Sequence, residues 1–224
     1  MERHPLETLS QGRRRMTALA GDTFISSAAM QKSALRTELR RRRRAIGTSE
    51  RRRAARRTAH LLLNLRRVRA AHHVAVYLPL AHELDTRPLI RDLLRRGTQV
   101  YAPFVDWRKR MHFAALTRLT HLRKDSLGLA APMASRSRRS PRRLDLIILP
   151  LLGFDACGHR LGMGAGYYDR SLAFQRVGSR PWRVGYAYPQ QQIAALPAEP
   201  WDVRLDAVAL SNGIRRLTQG AKAG

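Results

Sequence analysis

The chain has 224 residues, 44% of them hydrophobic, which suits one domain with a sizeable core and falls short of two full ones. A net charge of +27, from 43 Lys and Arg against 16 Asp and Glu, raises nucleic acid as the first partner to consider. The single cysteine, Cys157, excludes an internal disulfide and a multi-thiolate metal site and fits a reducing cytoplasm, and no apolar run reaches the ~18 residues of a membrane span, so no membrane partner is expected.

Residues 1–29 hold four arginines and three acids, so almost all of the basic excess belongs to residues 30–224. Asp22 interrupts the apolar "MTALAGDTFISSAAM", and Glu2 and Glu7 argue against a transit peptide. This stretch reads as a disordered extension or an over-called start. From Gln31 to Ile46, Leu35, Leu39 and Ile46 recur at near-helical spacing, and after Gly47 the pattern resumes from Thr48 to Val68, which predicts two helices. "HVAVYLP" (His73 to Pro79) reads as a strand, Thr86 to Gly97 as a helix and "TQVYAPFV" (Thr98 to Val105) as a second strand, a unit of parallel type. "RMHFAAL" (Arg110 to Leu116) alternates like a further strand. Thr120 to Arg143, rich in Ser, Pro and Arg, reads as a mobile surface loop. "LDLIILP" (Leu144 to Pro150) reads as a strand buried on both faces. A helix is expected from Tyr167 to Phe174, and strands at Arg183 to Pro189 and Leu205 to Leu210. The expected fold is α/β: a three-layer α/β/α single domain over residues 30–215, with a central, mainly parallel sheet of Rossmann-like topology and a flexible tail at 216–224.

The segment "GHRLGMGAGYYDR", Gly158 to Arg170, links the buried strand to a helix. Gly162, Gly164 and Gly166 alternate as G-x-G-x-G, which matches neither the P-loop nor the dinucleotide spacing. Bare amides in such a loop can approach a phosphate, although a tight structural turn accounts for the glycines equally well. Arg160 can neutralise phosphate oxygens. Asp169 would repel phosphate unless Mg²⁺ bridged them; its other reading is a carboxylate that stabilises its own helix start. Lys32 and Arg36 share one helical face, suited to an oligophosphate or simply solvated. No Ser/His/Asp or Cys/His arrangement offers an enzyme nucleophile. His159 is the one histidine kept as a candidate, and Trp182 and Trp201 read as packing residues.

In order, "KSALR", "YLPLAHELDT", "LDLIILPLLGFDACGHRLGMGAGYYDR" and "LPAEPWDVRLDAV" resemble the 5-formyltetrahydrofolate cyclo-ligases, also called 5,10-methenyltetrahydrofolate synthetases, over roughly Lys32 to Leu210. The resemblance implies a cytoplasmic, Mg²⁺-dependent ligase that uses ATP to cyclise 5-formyltetrahydrofolate, with or without a polyglutamate tail, to 5,10-methenyltetrahydrofolate. It places ATP on Lys32, Ser33, Ala34, Leu35 and Arg36 and on Arg160, Leu161, Gly162, Met163, Gly164, Ala165, Gly166, Tyr167 and Tyr168. Arg160 and Lys32 are the catalytic candidates. Leu78 and Glu83 would contact the folate, Met163 to Tyr167 would serve both ligands, and Asp169 and Asp202 would hold Mg²⁺. Leu151, Met163, Ala165 and Ala131 depart from the family's usual residues, and folate contacts are not assigned to "DSLGLAAP" (Asp125 to Pro132). The rival is an Arg-rich nucleic-acid-binding module, supported by Arg40 to Arg44 and Arg51 to Arg53. With 6% aromatic residues, stacking platforms are scarce, so nucleic acid is not the expected partner.

Overall fold

Along the central strands, successive apolar residues point to opposite faces, and both faces are covered. Val74, Val76, Val100, Ala102, Leu146, Ile148, Val184 and Ala207 pack with Leu62, Leu89 and Leu93 from two helices on one side. Ala75, Tyr101, Ile147, Leu149 and Val208 pack with Phe154 and Leu172 on the other. A side chain such as Ile147 or Leu149, at 0% exposure, contributes about 1.5–3 kcal/mol relative to leaving it in water. That is why "LIIL" reads as a continuous apolar run rather than an alternation.

The computed structural model describes residues 16–132, 137–174 and 180–217. Helix α1 (Met16–Arg44) is followed by α2 (Thr48–Leu63), α3 (Arg66–Arg69) and β1 (His73–Val76), then α4 (Arg87–Arg95), β2 (Gln99–Val105) and β3 (Met111–Leu116). Strands β4 (Arg123–Lys124) and β5 (Ala130–Ala131) pair with each other, and β6 (Arg138–Arg139) pairs with β3. After β7 (Leu146–Leu149), β8 (Gly153–Phe154) and β9 (Arg160–Leu161) form a ribbon that leads into α5 (Tyr167–Leu172). Strands β10 (Trp182–Tyr186), β11 (Ala207–Leu210) and β12 (Gly213–Arg216) complete the sheet.

The main sheet has the order β12-β11-β10-β7-β1-β2-β3-β6. Its five central strands are parallel, while β12 and β3 run antiparallel to their neighbours. From β1 the chain moves outward to β2 and later returns on the other side of β1 as β7. The connections leaving β1 and β7 therefore diverge, and a crevice opens at their carboxyl ends. Helices α2 and α4 cover one face; α5 and the β8–β9 ribbon cover the other. The one charge set deep in a central strand, Arg183 of β10, is answered by two bonds to the Asp206 carboxylate, at 2.9 and 2.7 Å.

The expected α/β architecture is present, with local differences, among them the break of the helix expected from Thr48 to Val68 into α2 and α3. Helix α1 begins at Met16 rather than Gln31, because Ala18, Ala20, Ala28 and Ala29 favour helix and no proline interrupts them. Strand β1 ends at Val76, short of Pro79, which has no N–H for the ladder. The polar segment 120–143 is not a featureless loop: it holds β4, β5, β6 and a single 3-10 turn at Pro141–Arg143. Strand β12 was not anticipated. Of the expected extension, loop and tail, residues 1–15, 133–136 and 218–224 lie outside the described residues. Among the described residues, no helix is long and apolar enough to cross a membrane.

Candidate active site

A cavity of about 690 Å³ occupies the crevice at the carboxyl ends of β1, β2 and β7. Tyr77, Leu78, Pro79, Leu80 and Glu83 enter it from the β1 side, and Pro150 and Leu151 from the β7 side. The segment Arg160 to Arg170 borders it from the ribbon into α5, and Lys32 and Arg36 reach it from α1.

The cationic end is built from three chain segments far apart in sequence. Lys32 Nζ lies 3.1 Å from Asp202 Oδ2, which also accepts the Glu199 N–H at 2.9 Å. Arg36 Nε donates to the Gly162 carbonyl at 3.1 Å and so ties α1 to the glycine segment. The Arg160 side chain is 5% exposed; it donates from Nη1 and Nη2 to Asp169 Oδ1 at 3.0 and 2.9 Å and from Nη1 to the Val203 carbonyl at 2.7 Å. Burial pulls the Arg160 pKa below its usual value, and the charges of Asp169 and Asp202 oppose that shift. Asp169 Oδ1 accepts the Val203 N–H as well, at 3.0 Å. Asp169 is therefore the counter-charge of a buried arginine and the link between α5 and the 199–203 segment, beyond any effect on its own short helix.

Backbone shape explains the glycines unevenly. Gly164 (φ 108) and Gly166 (φ 64) sit in the left-handed region that disfavours other residues, whereas Gly162 does not and has open space where a Cβ would be. Met163, Gly164 and Ala165 form the exposed tip of this segment, which keeps its amides accessible from the cavity.

The remaining walls are largely apolar: Leu78, Phe104, Met111, Leu127 and Leu129, with Trp201, 68% exposed, also in the lining. Glu83 lines the same cavity with a side chain only 6% exposed; its Oε2 accepts the Leu80 N–H at 3.0 Å. Burial pushes the Glu83 carboxyl above its usual value, with the Leu80 amide and then Arg43 working against the shift. Asp125 also borders the cavity, but its carboxylate is occupied by the N–H groups of Val105, Leu127 and Leu129.

Of the residues named from the sequence, Lys32, Arg36, Leu78, Glu83, Asp202 and every residue from Arg160 to Asp169 line one cavity. Ser33, Ala34 and Leu35 do not: the first two are exposed, and Leu35 packs on Leu39, Leu152, Leu161 and Leu196. A helix shows a ligand only one face, so the residues between Lys32 and Arg36 must point elsewhere. His159 is also set aside as a chemical group, since its Nδ1 lies 2.8 Å from Asp155 Oδ2 and the same carboxylate caps the amides of Cys157, His159 and Leu196. Trp182 is buried beneath Arg67, as a packing residue should be, whereas Trp201 stands at the cavity mouth. Asp125, Leu127, Leu129 and Ala130, in the segment to which no folate contacts are assigned from sequence because Ala131 departs from the family's usual residue, also line the cavity.

Residues 28–211 match the family described as the 5-formyltetrahydrofolate cyclo-ligase family. The chain is 35% identical over 182 residues to the 5-formyltetrahydrofolate cyclo-ligase of Escherichia coli K12, covering 76% of this chain and 94% of that one. It is 30% identical to the mouse enzyme of the same name over 186 residues, 79% of this chain and 92% of that one. The solution structure of Aquifex aeolicus 5,10-methenyltetrahydrofolate synthetase superposes with a TM-score of 0.74 at 30% identity, covering 86% of this chain and 96% of that one. The corresponding protein of Mycoplasma pneumoniae gives 0.63 at 26% identity, with 80% and 98% covered.

Proposed function

Since the chain belongs to the 5-formyltetrahydrofolate cyclo-ligase family and is an enzyme, we propose that it cyclises 5-formyltetrahydrofolate to 5,10-methenyltetrahydrofolate in the cytoplasm, consuming ATP and releasing ADP and phosphate. The observation that carries this reading is the make-up of a single cavity, which brings Lys32, Arg36, Arg160 and the glycine segment together with apolar walls and the buried carboxylate of Glu83. The cations suit a triphosphate, and the apolar walls with a carboxylate suit a flat heterocycle whose amino and N–H edge needs an acceptor.

The chemical difficulty is a leaving group. N10 of the folate must attack the N5-formyl carbon, and the amide oxygen does not depart unaided. Transfer of the γ-phosphoryl group to that oxygen gives an iminium phosphate; N10 then forms its bond to carbon and loses its proton, and phosphate leaves with the C–O bonding pair to complete the cationic N5–C–N10 amidinium. No enzyme nucleophile takes part, so the chain's residues act by position and charge. Lys32 and Arg36 hold the triphosphate, the N–H groups of Gly162 to Gly166 surround the moving phosphoryl group, and Arg160 neutralises charge on it. Two bonds to Asp169 and one to Val203 fix Arg160 beforehand, so little reorganisation is needed during transfer. Met163 to Tyr167 touch both ligands, and Glu83 with Leu78 receives the pterin.

Asp169 and Asp202 are compatible with Mg²⁺. In each, Oδ2 or Oδ1 carries all the bonds made among the described residues, leaving Asp169 Oδ2 and Asp202 Oδ1 unpartnered at the cavity wall. One or two carboxylates beside phosphate oxygens and water are what this ion requires. When bound, it neutralises charge on the phosphate oxygens.

The test is growth of methenyltetrahydrofolate absorbance from 5-formyltetrahydrofolate with ATP and Mg²⁺, with ADP and phosphate counted against product. Equal amounts of the three are expected. Failure to form product, or ADP released without it, overturns the reading.

A further inference from the structure

Arg43, near the end of α1, has a side chain only 7% exposed, does not line the cavity and has no part in the chemistry above. Its Nε and Nη1 are buried without a hydrogen-bond partner among the described residues. Its nearest charge is the carboxylate of Glu83, with Nη1 3.7 Å from Oε1. That separation is too long for a hydrogen bond but well within Coulombic attraction, so the guanidinium favours the ionised carboxylate without occupying its lone pairs. Glu83 lines the cavity, its Oε2 has the Leu80 amide, and its Oε1 accepts no hydrogen bond among the described residues.

We propose that Arg43 is a positioning residue for the folate: standing behind Glu83, it keeps that carboxylate ionised and turned to the cavity, as a two-oxygen acceptor for the amino and N–H edge of the pterin. This rests on the reading of Glu83 as the pterin's partner. The other groups around Glu83 cannot do the same work. Tyr77 and Tyr168 are held neutral by burial, as is Tyr188, whose hydroxyl is pushed up to about 12 and donates to the Glu83 carbonyl at 3.4 Å. His82, next in sequence, is pulled below its usual range by burial and by Arg51, Arg44 and Arg43, so it is uncharged near neutrality. Arg43 is thus the cation that opposes the burial of Glu83. Without it the carboxyl would protonate at a higher pH, and a protonated carboxyl presents an O–H where the pterin also presents donors.

The experiment uses the full chain with Arg43→Met, Arg43→Lys, Glu83→Gln and the Arg43→Met/Glu83→Gln pair, measuring KM for 5-formyltetrahydrofolate, KM for ATP and kcat across pH. On the acid limb, Arg43→Met is expected to raise the folate KM by on the order of tenfold, the effect of about one unit's shift in Glu83. The acid limb of the folate KM should move to higher pH while the ATP KM and kcat stay put. Arg43→Lys should restore the limb in part, and in the Glu83→Gln background Arg43→Met should add nothing. An unmoved acid limb, or a further rise in the Glu83→Gln background, overturns the role of Arg43 while leaving Glu83 as the folate contact. A Glu83→Gln enzyme with unchanged folate KM overturns both. Should Arg43→Met not fold, Arg43→Gln, neutral but still a donor, carries the same measurements.

Discussion

Replacing Asp169 with Asn removes one negative charge from the centre of the cationic end and keeps an oxygen that can still accept from Arg160 and Val203. The Arg160 side chain, 5% exposed, then lacks its counter-charge. A hydrogen bond to a charged group contributes about 1.5–3 kcal/mol, and because Asp169 is 24% exposed and water can partly replace it, about 2 kcal/mol of lost stability is expected. For a chain of this size that corresponds to a fall in Tm of roughly 4–8 °C. If Asp169 served only its own helix start, the loss would be about 0.3–1 kcal/mol. Turnover should fall on the order of a hundredfold, the scale of misplacing one group that acts in the transition state, and raised Mg²⁺ should recover part of it. Melting curves and kcat over a Mg²⁺ titration read both effects on one variant. An unchanged Tm would refute the Arg160–Asp169 pairing, and a lowered Tm with full turnover at limiting Mg²⁺ would leave Asp169 a purely structural residue.

Five further outcomes are expected. Lys32→Ala and Arg36→Ala should each raise the KM for ATP roughly tenfold or more and leave that for folate nearly unchanged, as loss of one charge-assisted phosphate contact requires; equal effects on both substrates would move α1 away from the triphosphate. Gly158→Ala should lower stability by about 1–3 kcal/mol, because φ is 86° and the new Cβ would stand 2.8 Å from the Leu205 carbonyl oxygen; a normal melting temperature would contradict that approach. The Asp106 carboxyl is lowered from 3.8 to about 2 by the Arg110 amide and then His112, so its stabilisation is present above pH 3.8 and lost as pH falls through about 2; Asp106→Asn should flatten the acid side of a Tm–pH curve in that window. A chain beginning at Met30 should melt and turn over like the full one, and a mixed-sequence RNA should show no saturable binding at physiological salt; steeply salt-dependent binding would return nucleic acid as a partner.

The elements legible in sequence were those whose patterning had one physical cause. "QVYAPFV" and "LIIL" are apolar because the sheet is covered on both faces, and they became β2 and β7. Strand β12, "GIRR", escaped because it is a partly exposed edge strand held by main-chain bonds to β11, which do not constrain its side chains to be apolar. The charged half of the site was legible because arginine and aspartate among glycines are hard to explain as core. Its apolar half was not, since Phe104, Met111 and Leu129 belong to strands or turns whose hydrophobicity a core accounts for equally well, and only the turn of the chain brings them round the same cavity. Arg43 was hidden for a different reason: in a run of five consecutive arginines, one facing inward is marked by helical phase alone.

Helix α1 is made before every element on which it docks. Lys32 waits for Asp202, Arg36 for Gly162, Leu39 for Leu152, Leu161 and Leu196, and Arg43 for Glu83. A domain that normally gains order from its amino terminus during synthesis must here carry an undocked helix until almost the whole sheet has emerged from the ribosome. Contacts of such sequence separation also slow folding, because a long loop must be closed before any of them forms. A nascent chain that stops before Leu152 therefore bears α1 with Leu39 uncovered and with Lys32 and Arg36 lacking their partners, and the finished enzyme differs from such unfinished precursors most sharply in what a chaperone or protease could grasp at its first helix.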